Sequence, residues 1–290
     1  MKNKLLLYWK PLFAVTAWGI SFIATKIALR GISPITIINL RLILGVILLS
    51  IIAVGTKQSF KIEPKKHLGI LVLALVASFH LWIQVTGLQY TTASNTGWII
   101  GITPVFMALL GISFFKEKLS ALNIAGIVIS TFGLLLLISK GDLNNIGFLA
   151  NKGDFMVLAS AFTWSVYSIL NKKISMTYSP LMTTLFLFMM MAIILIPFNV
   201  SAEVISSVVN LTIIEWGAVL FLGFICSGVS YVLWAKTLKE MDSARVGAFL
   251  YIEPFITVFT AAILLKESLT LLVLFSGIII TAGVIMVNRK

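Results

Sequence analysis

Gly133-Leu134-Leu135-Leu136-Leu137-Ile138 is an apolar run with no alternation of apolar and polar positions. A transmembrane β-strand needs about 10 residues that do alternate, so the run excludes a membrane barrel. In hydrocarbon each backbone N–H and C=O must be satisfied within its own segment, which leaves the α-helix. Worked outward, the run belongs to an apolar stretch over 121–139, about the 20 residues that a crossing helix needs. Further stretches, found with a window of about 19 residues, fall at 8–30, 34–55, 68–90, 93–115, 154–173, 179–198, 212–236, 243–265 and 269–288.

The composition agrees. The 290 residues are 59% hydrophobic and 11% charged, against about 45–50% and 25% in soluble domains, and the mean hydropathy is +1.07. A chain with so little polar surface is not a soluble enzyme, a nucleic-acid binder or a disordered scaffold; a lipid bilayer is its solvent. Ten spans occupy roughly 200 residues, which leaves short loops and no separate soluble domain. The expected fold is an all-α integral membrane protein with ten transmembrane helices. The first stretch is read as a retained helix, because it is too long for a signal peptide, carries Lys10, Lys26 and Arg30, and lacks a small-x-small cleavage site.

The net charge of +12 and a pI near 9.9 acquire meaning from where the basic residues lie. With the N-terminus in the cytoplasm, 16 of the 22 face inside, among them Lys57, Lys61, Lys65, Lys66, Lys116, Lys118, Lys172 and Lys173. Only Lys26, Arg30, Lys140, Lys152 and Lys266 face outside, and Arg41 lies within the second span. The positive-inside rule therefore predicts cytoplasmic N- and C-termini. The basic balance is a topology signal and calls for no nucleic acid, since no basic stripe interleaves with aromatics. Cys226 is single, and His67 and His80 are the only histidines, with no HExxH; neither a cofactor nor a metal is expected.

The chain repeats itself. At an offset of 150 residues Gly97 falls on Gly247, Pro104 on Pro254, Lys116-Glu117-Lys118-Leu119 on Lys266-Glu267-Ser268-Leu269, and Gly133 on Gly283. At an offset of 146, Trp18 falls on Trp164, Lys26 on Lys172 and Ser33-Pro34 on Ser179-Pro180. The halves run over 8–139 and 154–288 with an external linker at 140–153. Five spans per half is an odd number, so the second half enters inverted: Lys116-Glu117 faces the cytoplasm and Lys266-Glu267 the outside. Inverted repeats around a central cavity are the architecture of many secondary transporters. The alternative is a relic of gene duplication.

Of ten acidic residues only Glu253 sits mid-span, in Leu250-Tyr251-Ile252-Glu253-Pro254-Phe255. A mid-helix charge costs about 2.5–3.5 kcal/mol on translocon scales, so it faces a partner or a wet cavity. Glu253 is thus a candidate for proton coupling or for contact with a cationic substrate group; the structural alternative pairs it with Arg41, Lys26 or a backbone amine. Pro104 and Pro254 each remove a helix hydrogen bond and are read as matched kinks beside a cavity. Candidate substrate-cavity residues are Trp18, Ser21, His80, Gln84, Asn95, Trp98, Thr103, Trp164, Tyr167, Ser168, Ser230, Tyr231, Trp234, Tyr251 and Glu253, aromatic and hydroxyl groups suited to a small, partly apolar solute. Taken singly, the aromatics also suit interface belts, and His80 a hydrogen-bonded interior position. Gly97 and Gly101 form a GxxxG that permits close packing within the monomer. Arg41 is expected to snorkel or to pair with an acid near the outer end of the second span.

Ala17-Trp18-Gly19, Asn39-Leu40-Arg41, Gly87-Leu88-Gln89-Tyr90-Thr91-Thr92-Ala93-Ser94, Pro104 and Phe114-Phe115-Lys116-Glu117-Lys118-Leu119 resemble the EamA family of the drug/metabolite transporter superfamily. Tyr231-Val232-Leu233-Trp234-Ala235, Leu238, Ser243-Ala244, Glu253-Pro254 and Leu265-Lys266-Glu267 look like the corresponding signature of the second half. The resemblance implies a ten-helix transporter of a metabolite or amino acid, often exported, in a prokaryotic inner (plasma) membrane, with a cavity formed mainly by spans 1, 3, 4, 6, 8 and 9. Thr103 stands where a strict repeat would place a carboxylate opposite Glu253, and Leu187 where it would place a second Arg41. The expected activity is a secondary transporter working by alternating access. Its rivals are a passive small-solute channel and an intramembrane enzyme, for which no nucleophile–base or metal constellation is visible.

Overall fold

The computed structural model describes residues 2–60, 67–139, 151–265 and 271–289, and every regular element among them is helical. The first half contains α1 (Lys2–Ala28), α2 (Pro34–Gly55), α3 (His67–Tyr90), α4 (Ala93–Ile100), α5 (Thr103–Phe115) and α6 (Ala121–Ile138). The second contains α7 (Lys152–Ser175), α8 (Pro180–Leu195), α9 (Ala202–Val209), α10 (Ile213–Leu220), α11 (Ser230–Glu240), α12 (Ser243–Ala248), α13 (Glu253–Leu265) and α14 (Leu271–Asn288).

Polar caps set where the helices begin. The Ser33 hydroxyl accepts from Thr36 N–H at 3.3 Å, with Pro34 opening α2; Thr92 does the same for Asn95 at 3.0 Å. Ser120 with Asn123, Asn151 with Asp154 and Thr212 with Glu215 form reciprocal capping boxes at α6, α7 and α10. Each satisfies backbone donors that would otherwise be left open at a helix start.

Among the described residues, eight helical passages are long and apolar enough to cross a membrane: Tyr8–Ala28, Pro34–Gly55, Leu68–Tyr90, Ala93–Phe115, Lys152–Ser175, Pro180–Phe198, Ile213–Glu240 and Ser243–Leu264. Two further apolar helices, Ala121–Leu136 and Phe275–Asn288, fall at the fifth and tenth expected spans but are shorter. Ile51, Val54, Leu75, Leu109, Phe114, Val128, Ile193, Ile263 and Ile278 are exposed around the bundle. Apolar surface on that scale needs lipid rather than water.

Breaks occur where sequence periodicity gives no warning. α4 and α5 are separated by a turn at 101–102, and a 3₁₀ stretch, Phe249–Ile252, lies between α12 and α13. Pro104 and Pro254 are each the second residue of the following helix, where a missing N–H does no harm. Between α10 and α11, Phe221–Val229 is π-helical. Gly223 and Gly228 face Leu44 and Leu48 of α2 so closely that a Cβ would stand 2.5 and 2.7 Å from side-chain carbon. α9 is a short amphipathic helix with exposed Ile205 and Val209, unforeseen in the sequence.

The two halves touch through equivalent residues. Gly97 lies against Thr257 and Gly247 against Met107, a reciprocal pair at the 150-residue offset. Ser130 donates to the carbonyl of Ile280, its own counterpart, at 3.2 Å. Trp18 meets Trp164, its counterpart at the 146-residue offset, with ring centroids 4.9 Å apart. α6 and α14 cross where Gly126 and Gly283 face each other, a Cβ on either falling 2.6–2.7 Å from the other's carbonyl oxygen.

One end of the bundle is tied by Tyr8 donating to Asn288 O at 3.1 Å, Lys10 paired with Glu240 at 2.7 Å, and Asn123 donating to Val287 O at 2.7 Å. Asn95 donating to Asp154 at 2.6 Å and Lys152 lying 3.7 Å over the Tyr90 ring tie the start of α4 to the start of α7.

Candidate functional site: a charged cavity walled by aromatics

α1 brings Trp18, Ser21 and Phe22 to a cavity whose other walls are Arg41 of α2, His80, Leu81 and Gln84 of α3, Ile100 of α4, Trp164 of α7, Tyr231 of α11 and Glu253 of α13. Its volume is about 30 Å³, room for about two water molecules. Trp18 is the hub of one wall. Its ring meets Trp164, Tyr231 and Trp234 edge-on at 4.9, 5.7 and 5.2 Å, and its indole N–H donates to Cys226 O at 3.0 Å. That carbonyl belongs to the π-helical stretch, whose i→i+5 pattern is common at functional sites. Gly19, next along, lets α13 approach, with Thr257 donating to Gly19 O at 3.0 Å.

Two ionisable side chains, Glu253 and Arg41, line this cavity. Glu253, the first residue of α13, is 4% exposed, and its carboxylate has no hydrogen-bond or ion-pair partner among the described residues. Arg41 is also 4% exposed; its Nε donates to Ser227 Oγ at 2.8 Å, and its terminal amino groups have no partner among the described residues. The expected snorkelling of Arg41, or its pairing with an acid at the outer end of the span, is therefore corrected. Close packing of α2 on α8 and on the π-helical stretch turns Arg41 inward. Nor is Glu253 paired with Arg41 or Lys26.

Of the sequence candidates, Trp18, Ser21, His80, Gln84, Trp164, Tyr231 and Glu253 come together on the cavity. His80 Nδ1 is 3.0 Å from Ser160 O. Tyr167 and Trp234 extend the aromatic cluster behind the wall, Tyr167 accepting from Asn171 and Trp234 donating to Ser168 Oγ at 3.2 Å. The others do not reach the lining. Asn95 is engaged with Thr91 and Asp154, Thr103 with Ile100 O, and Ser230 with Ile225 O. Trp98 packs half-buried against the core. Tyr251, in the 3₁₀ stretch before α13, turns away to Thr131 on α6 at 2.7 Å, while Glu253 takes the cavity side. Phe22, Leu81 and Ile100 carry no signal in an apolar helix. Among the described residues no group of three His, Cys, Asp or Glu side chains is placed to hold a metal.

A polar latch lies at the tied end. α5 stops at Lys116, which adopts φ 53°, and Glu117 turns back over Gly111. The Glu117 carboxylate accepts from Lys172 Nζ at 2.7 Å, from Ser243 N–H at 2.9 Å, and from Ser243 Oγ at 2.9 Å. It thus joins the ends of α5 and α7 to the start of α12, while Lys172 also donates to Met241 O at 3.0 Å. Burial pushes the Glu117 carboxyl up, but the Lys172 ammonium and the Ser243 donors more than offset this and hold it below the usual carboxylate range. The Lys266-Glu267 counterpart falls outside the described residues.

The fold and site together define a multi-pass helical membrane protein with an internal charged cavity. The chain matches the EamA-like transporter family over residues 6–139 and again over 151–289, and it belongs to that family. It is 31% identical over 274 residues, 94% of each chain, to an uncharacterized transporter of Archaeoglobus fulgidus. To a probable amino-acid metabolite efflux pump of Escherichia coli it is 29% identical over 288 residues, covering 94% of this chain and 91% of that one. A solved crystal structure shares the fold at TM-score 0.76 and 16% identity, over 97% of this chain and 96% of its own. The protein is a membrane transporter and not an enzyme.

Proposed function

We propose that this protein is a secondary carrier that exports small metabolites such as amino acids by alternating access. Two inverted five-helix halves, 8–139 and 154–288, enclose the cavity and are joined by the 140–153 linker, and the chain crosses the membrane ten times. What supports this most is the reciprocal packing of Gly97 on Thr257 and Gly247 on Met107, together with an internal cavity lined by Arg41 and Glu253, which make no ion pair among the described residues. Two halves that meet through equivalent residues can exchange conformations at little cost, giving states open to either side.

The ties at one end support an even number of crossings, since the first and last helices meet there through Tyr8 and Asn288. Lys10, Lys172 and Lys116 lie at that end, so the positive-inside rule makes it cytoplasmic, with both termini; the likeness to archaeal and bacterial relatives supports a prokaryotic plasma membrane. The substrate class leans on the similarity to the E. coli efflux pump. A volume of about 30 Å³ is too small for an amino acid, so the solute enters only as the halves separate.

Glu253 is the coupling group in this reading: a buried carboxylate without a partner takes up either a proton or a cationic group of the solute. Counterflow of labelled solute in proteoliposomes tests the carrier, because a passive channel gives none. A thermal-shift screen of amino acids, nucleosides and amphiphilic cations identifies the solute, since ligand binding stabilises the folded state. Coupling predicts that Glu253→Gln flattens the pH dependence of transport. A variant as pH-dependent as the parent contradicts it.

A further inference from the structure

We infer that Arg41 is the specificity-determining residue of the cavity. It receives the carboxylate of a zwitterionic solute whose ammonium meets Glu253 and whose apolar side chain lies on the Trp18–Trp164–Tyr231 wall. This rests on the carrier reading of the same cavity.

The inference starts from charge balance. One guanidinium and one carboxylate, each 4% exposed, line one cavity, yet they make no ion pair with each other. Each is held away from bulk water, where a charge without a counter-charge is costly. A solute bearing both signs satisfies both groups; a monocation or a monoanion leaves one of them stranded. Of the neighbouring polar groups on the lining, Ser21 and Gln84 carry no charge that would take either place, and His80 is engaged through Nδ1 with Ser160 O at 3.0 Å.

Geometry fixes which end meets which group. The Nε of Arg41 is held by Ser227 at 2.8 Å, so the side chain is tethered through its inner nitrogen while its two terminal amino groups have no partner among the described residues. Those form the planar fork that matches a carboxylate by two parallel hydrogen bonds. Ser227 lies in the π-helical stretch, next to the Cys226 carbonyl that anchors Trp18. One local irregularity thus positions both the anion clamp and the hub of the aromatic wall. Arg41 has no repeat partner, Leu187 being fully buried and apolar at the matching position. The site is therefore polar in one direction only, as recognition of an asymmetric solute requires.

The test is counterflow of labelled phenylalanine in proteoliposomes, competed by phenylalanine, by phenethylamine, which lacks the carboxylate, and by 3-phenylpropionate, which lacks the ammonium. A site built to pair a polar group rejects analogues without it strongly, so both amputated solutes should compete at least about 100-fold worse than phenylalanine. In Arg41→Met, phenethylamine should compete as well as phenylalanine; Arg41→Lys, which keeps the charge but not the fork, should fall between. If Arg41→Met does not fold, thermal stabilisation of the parent protein by the three solutes decides the matter, with only phenylalanine raising Tm. Equal competition by phenethylamine in the parent, or unchanged discrimination in a folded Arg41→Met, overturns the inference. Counterflow of a nucleoside or a monocation, with none of phenylalanine, also overturns it while leaving the carrier intact. Solute leak without counterflow overturns the carrier reading itself.

Discussion

Replacing Glu117 by Gln removes the charge from the latch and preserves its shape. In the parent, the carboxylate accepts from Lys172 Nζ, Ser243 N–H and Ser243 Oγ at 2.7–2.9 Å. Removing one member of a fully buried ion pair costs about 3–5 kcal/mol. Glu117 and Lys172 retain 8% and 11% side-chain exposure, Gln still accepts one bond, and Lys172 keeps Met241 O at 3.0 Å. The expected loss is therefore smaller, about 2–3 kcal/mol. For a chain of this length that lowers Tm by roughly 5 °C, read by thermal or denaturant unfolding in detergent micelles. Lys172→Met should cost a similar amount. The double variant should cost less than the sum of the two by about 1–2 kcal/mol, because the groups are in contact. The pH dependence has a definite sign. Glu117 titrates below the unfolded carboxylate value of about 4.3, so its contribution is fully present above that pH and lost as pH falls through the folded value. The gap between parent and Glu117→Gln should hold from pH 8 down to the unfolded carboxylate value of about 4.3 and close only as pH falls further, through the lower folded value. A single-variant cost under about 0.5 kcal/mol, or additive costs in the double variant, refutes this account of the latch.

Lys116 holds φ 53°, a left-handed conformation that costs an L-residue about 1 kcal/mol and glycine little; Lys116→Gly should raise stability by about that amount in the same unfolding assay. Gly283→Ala would place a Cβ 2.6 Å from Gly126 O, and by forcing α6 and α14 apart should destabilise by about 1–3 kcal/mol. Asn151→Ala removes the cap that accepts from Asp154 N–H at 3.1 Å and should cost about 1 kcal/mol, seen as faster hydrogen exchange in the first turn of α7.

The outline of the bundle was legible because two local signals coincide. Ser33, Thr92, Ser120 and Asn151 are capping residues that stand directly before apolar runs, so the helix starts fall close to the expected span edges. Glu253 was legible because a lone mid-span carboxylate is costly anywhere but beside a cavity or partner. The orientation of Arg41 was not, since α2 is apolar all round and its rotation is set by Gly223 and Gly228 receiving Leu44 and Leu48 from far along the chain. Tyr251 and Glu253 share a short sequence but not a face, and only the 3₁₀ stretch before α13 decides which of them turns inward.

The most direct test replaces Cys226 by Ser and introduces one cysteine at Ser21, on the cavity wall. Its reaction with a membrane-impermeant thiol reagent is then followed in right-side-out and in inverted vesicles. Alternating access predicts modification from both faces, with solute protecting the cysteine from either. Modification from one face only, in every state that solute or pH can bring about, would contradict it.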